Sequence, residues 1–299
     1  MRLALLQTAA LLAALGLSTS PARADTPDLS VGPQYDTTHV YVAPADMARF
    51  AAAFVATFGG AASQPGVTHV TPTPSSTLWQ AIQTPEGTVS LFGFTTPVPY
   101  PFGAERTGYL VTDMTAAVAA AKAAGADVVV APFPDPIGAD AVVQWPGGVN
   151  MQFYVHNTAP NYPAFQTIPE NRVYVSAARA DAFVRAFVAF SHGTVTEDEA
   201  AAPGVEIGTP DASFREVRIK SGFGKIDVLV TDGHLPFPYG RETTGYEVTD
   251  LAATLAKATS AGASVLVGPY VSRDRHAAIV QFPGGYIAEI HAPSSERAP

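Results

Sequence analysis

The 299-residue chain carries 17 Lys and Arg against 26 Asp and Glu, a formal net charge of −9, and contains no cysteine. An acidic chain lacks the basic surface that phosphate neutralisation requires, which argues against a nucleic-acid partner. Disulfide staples and thiolate metal sites are excluded outright.

Met1-Arg2 gives a positive start, 3–17 is mostly apolar, and Ala22-Arg23-Ala24 is a small-x-small site. This pattern predicts a secretory signal peptide over 1–24 and a periplasmic or secreted address. The apolar run is too short to cross about 30 Å of hydrocarbon, and no later stretch reads as a membrane span. Losing Arg2 and Arg23 would leave 15 basic residues against 26 acids, a net charge of −11. Residues 25–36, with Pro27 and Pro33, read as a flexible leader.

A strand follows at 39–42. Met47, Phe50, Phe54 and Phe58 then recur at helical spacing over 46–58, until Gly59-Gly60 stops the pattern. Strand-like runs come at 68–71, 78–83 and 88–94, the last two joined at Glu86-Gly87. The order then repeats. A strand at 108–112 leads through Thr112 or Asp113, as N-cap, into a helix over 114–124 that Gly125 ends. Strands at 127–130, 141–145 and 149–156 follow, with Pro146-Gly147-Gly148 as a hairpin turn. Residues 157–170 hold three prolines and no periodicity and read as a linker.

The remainder replays both quarters. Arg106-Thr107-Gly108-Tyr109-Leu110-Val111-Thr112-Asp113 returns as Thr243-Thr244-Gly245-Tyr246-Glu247-Val248-Thr249-Asp250, and Gln144 to Gly148 returns as Gln281 to Gly285. Thr38 to Val42 is paralleled by Asn171 to Val175. This is an internal duplication. It divides the chain into a first module at 37–156, the linker, a second module at 171–292, and a tail at 293–299.

Residues two apart in a strand share a face. On that rule Val40, Val42, Leu91, Leu110, Val149, Met151, Phe153 and Val155 form one apolar face, and Val173, Val175, Ile226, Val228, Val230, Ala288 and Ile290 form its repeat. Amphipathic helices are available to cover both. The opposite faces carry His39, Tyr41, Thr107, Tyr109, Gln152 and Tyr154, then Arg172, Tyr174, Asp227, Thr244, Tyr246 and Glu289. Glu247 falls on the nominally apolar face and breaks the pattern. A mixed aromatic and polar face is either a ligand-lined hollow or a solvated sheet rich in β-forming tyrosines.

Strand-helix-three-strands in pairs resembles the vicinal oxygen chelate superfamily, which includes glyoxalase I, extradiol dioxygenases and bleomycin-resistance proteins. The resemblance is carried by Thr-Gly-Tyr-x-Val-Thr-Asp before each Ala-rich helix, Ala-Gly-Ala after it, and Pro-Gly-Gly before each last strand. It implies an α+β fold of four βαβββ units forming two curled mixed β-sheets, with helices on the outer faces and a cup in each. It also implies a divalent metal held from four strand positions. These fall on His39, Ser90, Thr107 and Gln152 in one cup, and on Arg172, Asp227, Thr244 and Glu289 in the other. Neither set supplies about three imidazole or carboxylate ligands; His39, Gln152 and Glu289 are the weak metal candidates. Arg172 either holds a ligand in the metal's place or forms a buried ion pair with Asp227 and Glu289.

The expected function is therefore an exported glyoxalase- or bleomycin-resistance-like protein that binds a small organic molecule without an intact metal site. The alternatives are a divalent-metal-dependent lyase, isomerase or dioxygenase, and an interaction module in which one cup serves a homodimer. The Glu105-Arg106 and Arg241-Glu242 pairs read either as gates at a cup mouth or, by the ordinary rule for such pairs, as solvated charges.

Overall fold

A computed structural model of the chain describes residues 28–294. The signal peptide expected at 1–24 and most of the tail lie outside the described residues.

The first repeat contains β1 (Thr37–Tyr41), α1 (Met47–Phe58), β2 (Ala61–Ala62), β3 (Gly66–Thr68), β4 (Thr77–Thr84) and β5 (Gly87–Phe94). The second contains β6 (Thr107–Leu110), α2 (Met114–Ala124), β7 (Asp127–Asp135), β8 (Gly138–Trp145) and β9 (Val149–His156). The third contains β10 (Glu170–Ser176), α3 (Ala177–Ser191), β11 (Thr194–Pro203), β12 (Ser213–Ser221) and β13 (Gly224–Thr231). The fourth contains β14 (Thr243–Glu247), α4 (Leu251–Ser260), β15 (Ser264–Ser272), β16 (Arg275–Gln281) and β17 (Ile287–Pro293). Asp113 and Asp250 cap α2 and α4, accepting from Ala116 N at 2.7 Å and Ala253 N at 2.9 Å, each satisfying an otherwise orphaned helical donor.

Repeats one and two form one sheet, in the order β2-β4-β5-β1-β6-β9-β8-β7 with β3 on β4; repeats three and four form the other, in the order β11-β12-β13-β10-β14-β17-β16-β15. The fold is thus the expected pair of mixed sheets. The helices cover one face of each sheet, and those covered faces meet. One core joins α2 to α3, with Trp145 and Phe153 from the first module against Phe183, Phe187 and Phe190 from the second. The other joins α1 to α4, with Phe50, Phe54 and Phe58 against Tyr246, Leu255 and Phe282. Each core therefore draws on both modules. The Pro-Gly-Gly turns sit at the same seam. A Cβ at Gly147 would lie 2.7 Å from Val175 Cγ1, and one at Gly284 would lie 2.7 Å from Val42 Cγ1. Both glycines have left-handed φ, 97° and 86°, so only glycine serves sterically and conformationally.

Two expectations are corrected. The described part of the leader is packed: Leu29 is buried in the first core, Ser30 bridges to Val111, and Val31 N donates to Leu110 O at 3.1 Å. An apolar side chain with an open strand edge beside it is enough to dock such a segment. The linker is also anchored, since Gln166 N donates to Pro85 O at 2.7 Å and Thr167 Oγ1 donates to Glu247 O at 2.8 Å.

The second correction is the phase of β6 and β14. Thr37 pairs with Gly108 and Glu170 with Gly245, so the glycines face the hollows while Thr107, Tyr109, Thr244 and Tyr246 face the core. Leu110 moves to the hollow side with them, opposite Tyr154. Tyr109 packs on Phe223 and Phe187 of the second module, at 4.9 and 6.3 Å between centroids. Tyr246 packs on Phe58 and Phe54 of the first, at 5.0 and 5.5 Å. Its hydroxyl meets Tyr286 at 3.1 Å and Thr38 at 3.3 Å, and Thr244 Oγ1 lies 3.3 Å from Thr38 Oγ1. The repeated tyrosines are module-to-module clamps. Glu247, anomalous under the opposite phase, takes its ordinary place on the polar face, 3.0 Å from Lys225 Nζ.

Candidate functional site

In the first cup, β1, β5, β6 and β9 bring His39, Ser90, Gly108 and Gln152 side by side: His39 pairs with Ser90, Thr37 with Gly108, and Gly108 with Gln152. Beyond them lies a cavity of about 280 Å³, lined among others by His39, Trp79, Phe92, Asp140, Gln152 and Tyr154. Val67 and Ile137, 71% and 50% exposed, also line it, giving it an apolar lip of the kind that marks a binding surface. Tyr162 from the linker completes the wall.

His39 is 2% exposed, and its Nδ1 lies 3.3 Å from Oε1 of the fully buried Glu105. The Tyr41 hydroxyl donates to the same oxygen. Burial and the Glu105 charge push the Tyr41 phenol well above its ordinary range. With Nδ1 engaged by Glu105, Nε2 lies on the side of Gly108. Space there depends on Gly108, where a Cβ would lie 2.5 Å from His39 Nε2. Asp140, 4% exposed, is pushed well above the usual carboxylate range by burial and by Asp135, although the Gln152 side chain hydrogen-bonds to it. Burial lowers His156, against the pull of Asp135. Among the described residues no lysine or arginine lines this cavity.

Trp79, Glu105, Asp140 and Tyr162 are site residues that strand alternation does not single out. Glu105 reads in sequence as one half of a solvated pair; the fold instead turns it inward beneath His39. Asp140 falls just outside the strand expected at 141–145; the strand in fact begins at Gly138 and sets Asp140 opposite Tyr154.

The second cup is filled. Arg172, 2% exposed, lies 2.9 Å from Asp227, 3.5 Å from Glu206 and 3.8 Å from Glu170. Arg275 grips Glu170 with two nitrogens at 2.7 and 3.2 Å. Glu289 meets His291 Nδ1 at 2.7 Å and Arg275 at 3.7 Å. Arg218 approaches Glu216 and Asp227, and Arg273 pairs with Glu216 and Glu197. A short 3-10 turn, Gly204–Ile207, sinks Glu206 and Ile207 into the hollow, where Ile207 packs with Phe214, Leu229 and Tyr174. Space of about 140 Å³ remains beside Glu170, Arg218, Lys225 and Asp227. Burial pushes Asp227 up to about 6 despite Arg172, with Glu170 adding to the rise. Burial pushes Tyr174 up to about 12. Glu289 is held below its ordinary value by His291 and Arg172, which outweigh its burial.

Neither cup fits a divalent metal. The first cup's register offers one imidazole tied to Glu105, one hydroxyl, one amide and a glycine with no donor at all; a divalent ion wants about three strong donors. In the second, Glu206, Glu216 and Asp227 bring carboxylate oxygens within 4.8 Å of one another. The guanidiniums of Arg172, Arg218 and Arg273 already contact those same carboxylates, and their charge cannot be titrated away.

No protein-family profile and no curated protein sequence matches this chain. Solved structures do. A mutant of 4-hydroxymandelate synthase from Streptomyces coelicolor aligns with a TM-score of 0.60 at 12% identity, over 91% of this chain and 95% of that one. The Mn(II)-bound glyoxalase from Novosphingobium aromaticivorans aligns at 0.52 and 12%, over 88% and 82%. Homoprotocatechuate 2,3-dioxygenase from Arthrobacter globiformis aligns at 0.52 and 14%, over 89% and 80%. At such identities the likeness is one of fold. No helix among the described residues is long and apolar enough to cross a membrane. The strand-helix-three-strand repeats, the paired sheets and these alignments agree: the chain has the vicinal oxygen chelate fold, built as two fused modules.

Proposed function

We propose that the first cup binds a small, uncharged or cationic organic molecule, without a metal, and that the protein does so after export. The observation that carries this reading is the open cavity with its aromatic walls and no lysine or arginine among its lining. A carboxylate ligand would find no lysine or arginine and would face the carboxyl groups of Asp135 and Asp140. A ring bearing a hydroxyl or amine could lie against Trp79 and Phe92, which pair across β4 and β5, and exchange hydrogen bonds with Asp140, Gln152 and His39. The volume sits just below the ~300–1,000 Å³ of drug-sized pockets, so the ligand is small.

Trp79 offers a direct readout. The only other tryptophan, Trp145, is 1% exposed in the core. Titrating phenol, catechol, aniline and benzoate against tryptophan fluorescence should give saturable quenching by the neutral rings and weak or no quenching by benzoate. The response should be lost in Trp79→Phe and weakened in Asp140→Ala. Quenching by benzoate equal to that by phenol would overturn the charge argument. Stoichiometric Mn(II) or Fe(II) binding that disappears in His39→Ala and Gln152→Ala would instead establish the metal-dependent reading.

A further inference from the structure

The seam between the modules contains a second, larger cavity that the cups do not account for. It measures about 600 Å³ and is lined by the loop at 98–104 from the first module and by Pro238, Arg241 and 284–287 from the second. Tyr41, Phe102 and Arg106 come from the first module, and Arg241, Glu242 and Tyr286 from the second. A neighbouring space of about 300 Å³ shares Ala104, Arg106, Arg241 and Glu242, so the same side chains border both.

The charges here are arranged unlike those elsewhere in the molecule. The arginines of the second cup each contact a carboxylate. Arg106 and Arg241 make no ion pair within 4.0 Å among the described residues. Arg106 is the largest influence lowering Arg241 from its usual value, with burial second; two guanidiniums thus repel one another across a gap that holds no counterion. Glu242, which also lines the cleft, has Oε1 buried without a partner. Burial pushes it up to about 8, even against the pull of Arg106, and among the described residues it forms no ion pair with either arginine within 4.0 Å. Glu105 is turned away, towards His39 and Tyr41. In a chain of net charge −9, one arginine from each module, at positions that the repeat does not pair, lines the same cleft beside apolar walls.

We propose that this cleft is a binding site for a small organic dianion, held between the guanidiniums of Arg106 and Arg241, with its apolar part against Tyr41, Phe102 and Tyr286. Two planar forks can each take an oxyanion bidentately. A ligand with two negative groups, or one doubly charged group, satisfies both at once and relieves their mutual repulsion. The inference is independent of the first cup, whose lining carries no lysine or arginine.

The test uses the full chain at low ionic strength and pH 7, with phthalate, succinate and inorganic phosphate as dianionic probes, and benzoate and acetate as monoanions. Calorimetric titration should show saturable one-to-one binding of at least one dianion, about tenfold or more tighter than the monoanion of similar body. Phthalate outranking phosphate assigns the site to dicarboxylates with an apolar body; the reverse order assigns it to phosphate groups. Arg106→Ala and Arg241→Ala should each weaken binding about tenfold or more, while Arg106→Lys retains part of it. Circular dichroism checks that the variants fold. Dianion binding should leave Trp79 fluorescence unchanged, which separates this site from the first cup. Dianions bound no more tightly than monoanions, or bound equally by the Arg106→Ala/Arg241→Ala double variant, would overturn the proposal.

Discussion

Replacing Arg172 by Met should cost more stability than any single surface change, and the cost should depend on pH. The guanidinium is 2% exposed and faces Asp227 at 2.9 Å, Glu206 at 3.5 Å and Glu170 at 3.8 Å. Met fills much of the same stem volume, so little of the loss comes from a cavity. What remains is buried carboxylates without their central cation. Breaking a buried pair in this way costs about 3–5 kcal/mol, or a fall in Tm of about 6–20 °C for modules of this size. Arg275 still holds Glu170, and Arg218 still lies 3.8 Å from Asp227, which places the loss at the lower end. The carboxylates can also relieve the strain by taking up protons. Asp227 sits at about 6 even with Arg172 present, and without it the value rises. The loss should therefore be smaller at pH 5 than at pH 8. Urea denaturation followed by circular dichroism at both values measures it. A variant within about 1 kcal/mol of wild type at pH 8 would refute the reasoning, as would equal losses at the two pH values.

Gly108→Ala tests the corrected strand phase. Its Cβ would meet His39 Nε2 at 2.5 Å and Thr37 Oγ1 at 2.9 Å, so the imidazole must shift off Glu105, at an overpacking cost of about 1–3 kcal/mol. A lower Tm together with displaced His39 resonances is expected; unchanged values of both would return position 108 to the core side. The pH profile of stability should peak near pH 5 and decline towards pH 8. Burial raises Asp36, Asp140, Asp227 and Glu242, so the stability their neutral forms confer is complete below the unfolded values of about 4. It is lost as pH climbs through the folded values, about 6 for Asp227 and about 8 for Glu242. Glu170 and Glu289 are lowered and act oppositely: the stability they confer is present above about 4.5 and lost on acidification. Thermal melts from pH 4 to 9 at constant ionic strength check this, and a Tm that rises steadily from pH 5 to 8 would contradict it.

The duplication, the four helices, the strand order within each repeat and the curled-sheet fold class were all legible in the chain. Each rests on a local, periodic property: phenylalanines at helical spacing, glycines at turns, a phrase that recurs at fixed distance. His39, Gln152, Arg172, Asp227 and Glu289 were placed on the right faces because long strands state their alternation repeatedly. The phase of the short strands at Thr107 and Thr243 was not settled that way. Four or five residues with tyrosine, threonine and glycine alternate equally well in either sense, and only the pairing of Thr37 with Gly108 and Glu170 with Gly245 chose between them. Glu247 was the one residue whose charge already favoured the observed phase. That Tyr109 and Tyr246 join the modules, that Glu105 lies beneath His39, and that a short turn carrying Glu206 fills one cup and leaves the other open were decided by tertiary structure alone. These contacts join residues from 66 to 208 positions apart, and no local pattern encodes which distant side chain will occupy a hollow.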